Sequence, residues 1–287
     1  MMQRQRVQRE RSAVRILARA LALAVAMGVL GARPAAAVSV SPIALYLDQS
    51  TRTATLTLYN PGTLPEEVEI GFAFGYPVSD SLGNVAVPLA DTAAAGEPSA
   101  VSWMRAFPRR LRLEPGQRQV VRVMAEPPAG LADGEYWARV LVRSRGGQPP
   151  IEQTQGAVTL QLNVETVVVA AASFRKGDVT TGVAVEAPRA VRTAEGVYLQ
   201  VDLVRQGSAA YLGRVRAELL APDGRVAAEV TDELAVYHRL RRRFVLPLAG
   251  PAGPGYRVRY TFETVRPDLP PGGVVRAEDV SGVVPVT

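Results

Sequence analysis

The sequence predicts an all-β chain built as two β-sandwiches in tandem. Three observations carry that expectation. Short apolar runs recur, some alternating with polar residues and some fully apolar. Turn formers separate them at short spacing: Asn60-Pro61-Gly62, Glu114-Pro115-Gly116, Ala132-Asp133-Gly134 and Pro222-Asp223-Gly224. No long stretch repeats its apolar residues at the helical period.

The first 37 residues stand apart. They carry seven arginines and one glutamate, a net charge of +6, while the remaining 250 residues hold 26 basic and 26 acidic side chains. An Arg-rich stretch ending at Arg19 is followed by the apolar segment Ala20–Gly31 and by Arg33-Pro34-Ala35-Ala36-Ala37, with small residues suited to cleavage after Ala37. Residues 1–37 read as a signal peptide, because the apolar segment is shorter than the roughly 20 residues a spanning helix needs. The mature chain then starts at Val38, in the periplasm, and contains no membrane span. Its body is electrically neutral, so it lacks the basic footprint of a nucleic-acid binder.

From Val38 onward the expected strands are Val38–Leu47, Thr53–Tyr59, Glu67–Phe74, Asn84–Leu89, Arg109–Leu113, Gln119–Met124, Tyr136–Val142 and Val158–Val169. Glu114-Pro115-Gly116-Gln117 fits a tight turn between two of them, because Gly at the third position accepts positive φ. A second set follows: Val197–Val204, Val215–Leu220, Val226–Val230, Arg243–Leu248, Tyr256–Thr264 and Val274–Val284. An apolar run gives way to charge and glycine at Phe174-Arg175-Lys176-Gly177-Asp178. The expected domains are therefore 38–174 and 175–287, each an immunoglobulin-like β-sandwich.

Composition removes most chemistry. The chain has no cysteine, one histidine (His238) and one lysine (Lys176). Thiolate metal sites, disulfides, cysteine nucleophiles and a three-histidine metal centre are excluded. No catalytic or nucleotide-binding fingerprint occurs. Adjacent acids such as Glu66-Glu67 and Asp232-Glu233 point to opposite faces of a strand and make no acid–base pair. His238 lies between Tyr237 and Arg239 and reads as a surface or interface side chain. Arg239-Leu240-Arg241-Arg242-Arg243 reads as a partly neutralised edge. The expectation is a protein that is not an enzyme, with no catalytic residue, no metal and no cofactor.

Four segments resemble one family. Thr55-Leu56-Thr57-Leu58-Tyr59-Asn60 is similar to its second strand, which ends in Asn. The stretch from Pro108 to Val123, centred on Leu113-Glu114-Pro115-Gly116, is its most specific part. Glu135-Tyr136-Trp137-Ala138-Arg139-Val140 and Thr159-Leu160-Gln161-Leu162-Asn163-Val164 follow in matching order. Together they resemble the PapD-like periplasmic pilus chaperones, whose two sandwiches hold fibre subunits. The resemblance covers most of residues 38–175. It implies a non-enzymatic chaperone whose partners are pilus or envelope subunits and an outer-membrane usher. It also implies an arginine at Ala44 and a lysine at Val169, where neither residue is basic.

The candidate partner-binding strand has Val158, Leu160, Leu162 and Val164 on one face and Thr159, Gln161 and Asn163 on the other. The resemblance implies that this strand is lent to an incomplete subunit. The alternative is an ordinary strand covering its own core. On another strand Trp137, Arg139, Leu141 and Arg143 share a face. Arg139 and Arg143 are candidate carboxylate anchors, because guanidinium forks bind carboxylates through two bonds; the alternative there is a solvated face with arginine stems over Trp137. The competing functional reading is a structural or adhesion-associated module of a secreted or cell-envelope assembly without chaperone activity.

Overall fold

The structure is a computed structural model that describes residues 37–147, 151–155, 158–162, 164–248, 250 and 252–287, with strands 151–155 and 158–162 described by backbone alone. The leader expected over residues 1–37 lies, apart from Ala37, outside the described residues.

Among the described residues the first half holds β1 (Ser39–Ser41), β2 (Ala44–Asp48), β3 (Thr53–Tyr59), β4 (Glu66–Ala73), β5 (Val78–Ser79), β6 (Val85–Ala86), β7 (Met104–Phe107), β8 (Arg110–Leu113), β9 (Arg118–Ala125), β10 (Gly134–Arg145), β11 (Ile151–Gln155), β12 (Val158–Leu162) and β13 (Glu165–Lys176). One sheet has the order β1-β3-β9-β7 and the facing sheet the order β2-β13-β10-β4-β8. Alternation places Leu56, Leu58, Val121 and Val123 of the first sheet against Ile70, Val140, Val142 and Phe174 of the second.

Two expected strands divide. Val38–Leu47 splits at Pro42, which has no N–H to give a ladder. Its first part, β1, pairs with β3; its second, β2, crosses to the other sheet and runs parallel to β13, from Ala44 opposite Ala171 to Asp48 opposite Arg175. Val158–Val169 also divides. β12 pairs with β11 as a hairpin of its own, Ile151 opposite Leu162, and β13 begins at Glu165.

The Leu113–Gln117 corner forms as expected. Gly116 has φ 72° and its N–H donates to the Asn60 carbonyl at 2.8 Å. The Asn60 side chain, fully buried, donates to the carbonyls of Leu64 and Leu113 at 2.8 and 3.0 Å and accepts from Gly62 N–H at 2.8 Å.

The second half holds β14 (Thr181–Thr193), β15 (Gly196–Gly207), β16 (Tyr211–Leu220), β17 (Val226–Val236), β18 (Arg239–Pro247), β19 (Arg257–Glu263) and β20 (Val280–Pro285). Its sheets are β14-β15-β18 and β17-β16-β19-β20, packed through Leu199, Leu203, Val215, Leu219, Phe244 and Phe262. β14 is absent from the expected set because Pro188 interrupts its pattern; a bulge between Glu186 and Arg189 absorbs the proline, with Ala187 at φ 44°. The fold is two tandem β-sandwiches, and no α-helix occurs among the described residues.

Val38–Thr287 forms one compact unit. A third cluster joins the halves: Phe74 and Trp137 from the first meet Ala210, Leu212 and Tyr237 from the second. Past Ala73 the chain of β4 runs on into a hairpin, with Phe74 opposite Ala90 and Val78 opposite Ala86. This hairpin lies along the outer edge of β18. Ser79 Oγ accepts the Arg241 N–H at 2.7 Å, and a Cβ on Gly83 would come within 3.1 Å of Arg243 N.

Candidate functional site

Cross-strand partners share a face, so the register of the five-stranded sheet reads out its outward face row by row. Nearest the second sandwich lies Tyr46–Ser173–Trp137, then Ala44–Ala171–Arg139–Ala73, then Val169–Leu141–Gly71. Farther out come Val167–Arg143–Glu69–Arg110 and Glu165–Arg145–Glu67–Arg112. The sheet thus grades from aromatic, through small apolar, to a ladder of alternating charge.

The aromatic end is closed. Glu135, 2% exposed, accepts from Arg175 Nε at 2.9 Å, from Trp137 Nε1 at 2.9 Å and from Ala210 N–H at 2.8 Å. Arg175 also donates to the carbonyls of Gly272 and Gly273 at 2.8 and 2.6 Å and lies over the Tyr46 ring. Burial pushes the hydroxyls of Tyr46 and Tyr237 well above the usual tyrosine range. His238 sits at the same seam, its Nε2 3.0 Å from Glu97 Oε2.

The two candidate arginine anchors differ. Arg139 is 8% exposed; its Nε donates to the Gly75 carbonyl at 2.8 Å and its guanidinium lies 5.3 Å from the Tyr237 ring centre. With Trp137 it is covered by the second sandwich, so that end of the face is not solvated as the alternative reading expects. Arg139 still shares its row with Ala44 and Ala171. Arg143 is half-exposed and lies over Gly71, where a Cβ would meet its Nη1 at 2.9 Å; its Nε is 3.9 Å from Glu165 Oε1. It borders a groove of about 530 Å³ lined by Glu67, Glu69, Arg110, Arg112 and Arg145. Arg110 pairs with Glu69 at 3.1 Å and Arg112 with Glu114 at 2.8 Å, while Arg145 pairs with Glu165.

β13 presents the open feature of this sheet. It pairs with β10 along its whole length, but with β2 only from Ala171 to Arg175. Among the described residues no strand covers its outer edge from Glu165 to Ala170. Along that stretch Val167 and Val169 are 42% and 40% exposed, while Val168 and Ala170 turn to the core. Val169, where the resemblance implies a lysine, is one of this apolar row; Ala44 is buried at the side of Ala171. Val164, just before β13, is exposed. The side chains of Val158, Leu160 and Leu162 lie outside the described residues; their backbone forms β12. Val167 was not singled out from sequence, although the valine run 167–169 was legible as the end of the expected strand.

The basic run of β18 is engaged within the chain. Arg241 grips Asp202 through Nε at 2.6 Å and Nη2 at 2.7 Å, and Arg239 reaches the same carboxylate at 3.3 Å. These hydrogen bonds, Arg241's first, hold Asp202 below the usual carboxylate range. Among the described residues no group of three or more His, Asp or Glu side chains is placed to hold a metal ion, and no helix is long and apolar enough to cross a membrane.

No family model matches the chain, and no curated protein matches it. Solved structures resemble it over most of its length. The SafB chaperone, solved with the SafA pilin of Salmonella enterica, is 16% identical over 88% of this chain and 99% of its own, with a TM-score of 0.44. The CupB2 chaperone of Pseudomonas aeruginosa is 14% identical over 87% and 100%, with a TM-score of 0.43. The DraB chaperone of E. coli is 14% identical over 86% and 96%, with a TM-score of 0.43. All three are chaperones.

Proposed function

We propose that the protein is a periplasmic chaperone that holds pilus or envelope subunits by lending them a strand, with the outer-membrane usher as a further partner. The observation that carries this reading is the open edge of β13. An unpaired edge is a template for another chain, and native proteins normally blunt or cover it. Among the described residues it is left open from Glu165 to Ala170 and flanked by outward valines. A sandwich subunit lacking one strand is the partner such an edge fits: backbone bonds supply affinity and Val167 and Val169 fill alternate pockets. The candidate row Val158, Leu160, Leu162 and Val164 precedes β13 and is proposed as a separate apolar row for the same subunit. Arg139, in the row of Ala44 and Ala171, and Arg143, in the row of Val167, are the candidate seats for a subunit carboxylate. The leader, cut after Ala37, supports export. The neutral body supports neither nucleic acid nor membrane as a partner.

The test is co-purification of the full-length protein from a Gram-negative periplasm, with intact mass reporting leader removal and bound subunits identified by mass spectrometry. Val169→Glu places a carboxylate where water reaches it in the free protein but not in the complex, so subunit capture falls at least about tenfold while the melting temperature changes little. Arg139→Gln and Arg143→Gln, compared across salt concentrations, identify the carboxylate seat. Capture unaffected by Val169→Glu overturns strand donation; no bound sandwich subunit favours the structural or adhesion module.

A further inference from the structure

We infer that Glu165 is a positioning residue that sets the register in which β13 is lent to a subunit. The inference rests on the strand-donation reading and adds how the donated strand is prevented from sliding. Side chains on one face of a strand repeat every two residues, so a two-residue slip keeps the same face and exchanges only which side chain enters which pocket. Residues 167–172 read Val-Val-Val-Ala-Ala-Ala, a run with almost no landmark along it.

Glu165 stands at the head of the outward row Glu165–Val167–Val169–Ala171. It is the acidic member of that row, and it is held on the face by two arginines of β10. Arg145 is hydrogen-bonded to its Oε2, and Arg143 Nε lies 3.9 Å from Oε1. Both arginines lie beside it on the same sheet face, Arg145 opposite Glu165 and Arg143 opposite Val167. A slip that carries Val167 into the pocket of Val169 must carry Glu165 into the pocket of Val167. That strips a carboxylate from its guanidinium partners and from water and places it among apolar groups, which is strongly unfavourable. A slip in the other direction puts Ala171 where Val169 belongs and leaves the pocket underfilled. One register therefore remains, bounded by charge at one end and by small side chains at the other.

The chain contains no cysteine, so one introduced thiol on this protein is unique. Val169→Cys keeps a small apolar side chain in the donated row. In the full-length protein it is oxidised against single cysteines placed at successive groove positions of the sandwich subunit that co-purifies with it. In the otherwise unchanged chain, disulfide forms at one groove position. Adding Glu165→Val lengthens the apolar row by one member beyond Val167 and yields a second disulfide two residues along, a shift of about 7 Å that a disulfide cannot bridge. Adding Glu165→Gln retains a polar group and the single position. A purely structural Glu165 would change the melting temperature without adding a register. A captured subunit that keeps one disulfide position with Glu165→Val overturns the positioning role alone. Capture that fails in the unchanged chain, or that survives Val169→Glu, overturns strand donation and this inference with it.

Discussion

Asn60 ends β3 because a short amide can serve three backbone groups at a corner where the chain leaves the sheet. Its Nδ2 donates to two carbonyls and its Oδ1 takes the Gly62 N–H. Asn60→Ala leaves buried carbonyls unpaired and costs about 1–3 kcal/mol, read from the urea midpoint. Glu135 holds the seam in the same manner, with three donors on one buried carboxylate. Glu135→Ala leaves Arg175 with a buried, unpaired charge and costs about 3–5 kcal/mol. Asp202 gives a pH signature. Its folded pKa is depressed by Arg241 and Arg239, so its contribution is present above the usual carboxylate value and disappears as pH falls through the folded one. Asp202→Asn therefore flattens the loss of stability as pH falls below the usual carboxylate range. The turn roles of Asn60 and Gly116 were legible because local chemistry dictates them, whereas the Asn60 bond to Leu113, 53 residues on, has no local sign. Glu135 was legible only as part of a family-like segment: its partner Arg175 lies 40 residues on, and sequence carries no local sign of such a pair.

The strands themselves were legible wherever alternation met a turn former, as at Thr53–Tyr59, which matches β3 residue for residue. Two apolar runs misled for the same reason. Apolar continuity shows that residues are buried on both faces or on successive sheets, but it does not show where pairing changes hands. Hence Val38–Leu47 conceals a crossing between sheets, and Val158–Val169 conceals the boundary between a separate hairpin and β13. The exposed row at Val167 and Val169 belongs to the second of these. Of the hairpin following β4, the strand at Asn84–Leu89 was legible and contains β6; that the hairpin covers β18 depends on a contact between distant parts of the chain. Ser79→Ala removes the acceptor of the Arg241 N–H and is expected to cost about 1 kcal/mol in thermal or urea unfolding.

At the scale of the molecule the two sandwiches are joined by more than the linker between Lys176 and Thr181. The aromatic cluster, the Ala210 N–H bond to Glu135, the Arg175 bonds to Gly272 and Gly273 and the hairpin on β18 all break when either half unfolds. One calorimetric transition is therefore expected rather than two, and Glu135→Ala should separate it into two by weakening the seam. Above about pH 10 the same seam weakens. Tyr46 and Tyr237 have raised folded pKa values, so their contribution is complete below the ordinary tyrosine value and is lost as pH rises toward the folded one. Absorbance at alkaline pH should show these hydroxyls ionising together with unfolding. The parallel pairing of β2 with β13 has a consequence for how the molecule comes into being. Residues 44–48 find their partner only at residues 171–175, so a chain made from its N-terminus carries an unmatched β2 until about 130 residues more have emerged. Closure of the five-stranded sheet is thereby postponed until β13 has emerged, and a pairing so distant in sequence slows folding. Until then β2 has no partner strand, and Leu45 and Leu47 stay outside the core they fill in the finished sheet.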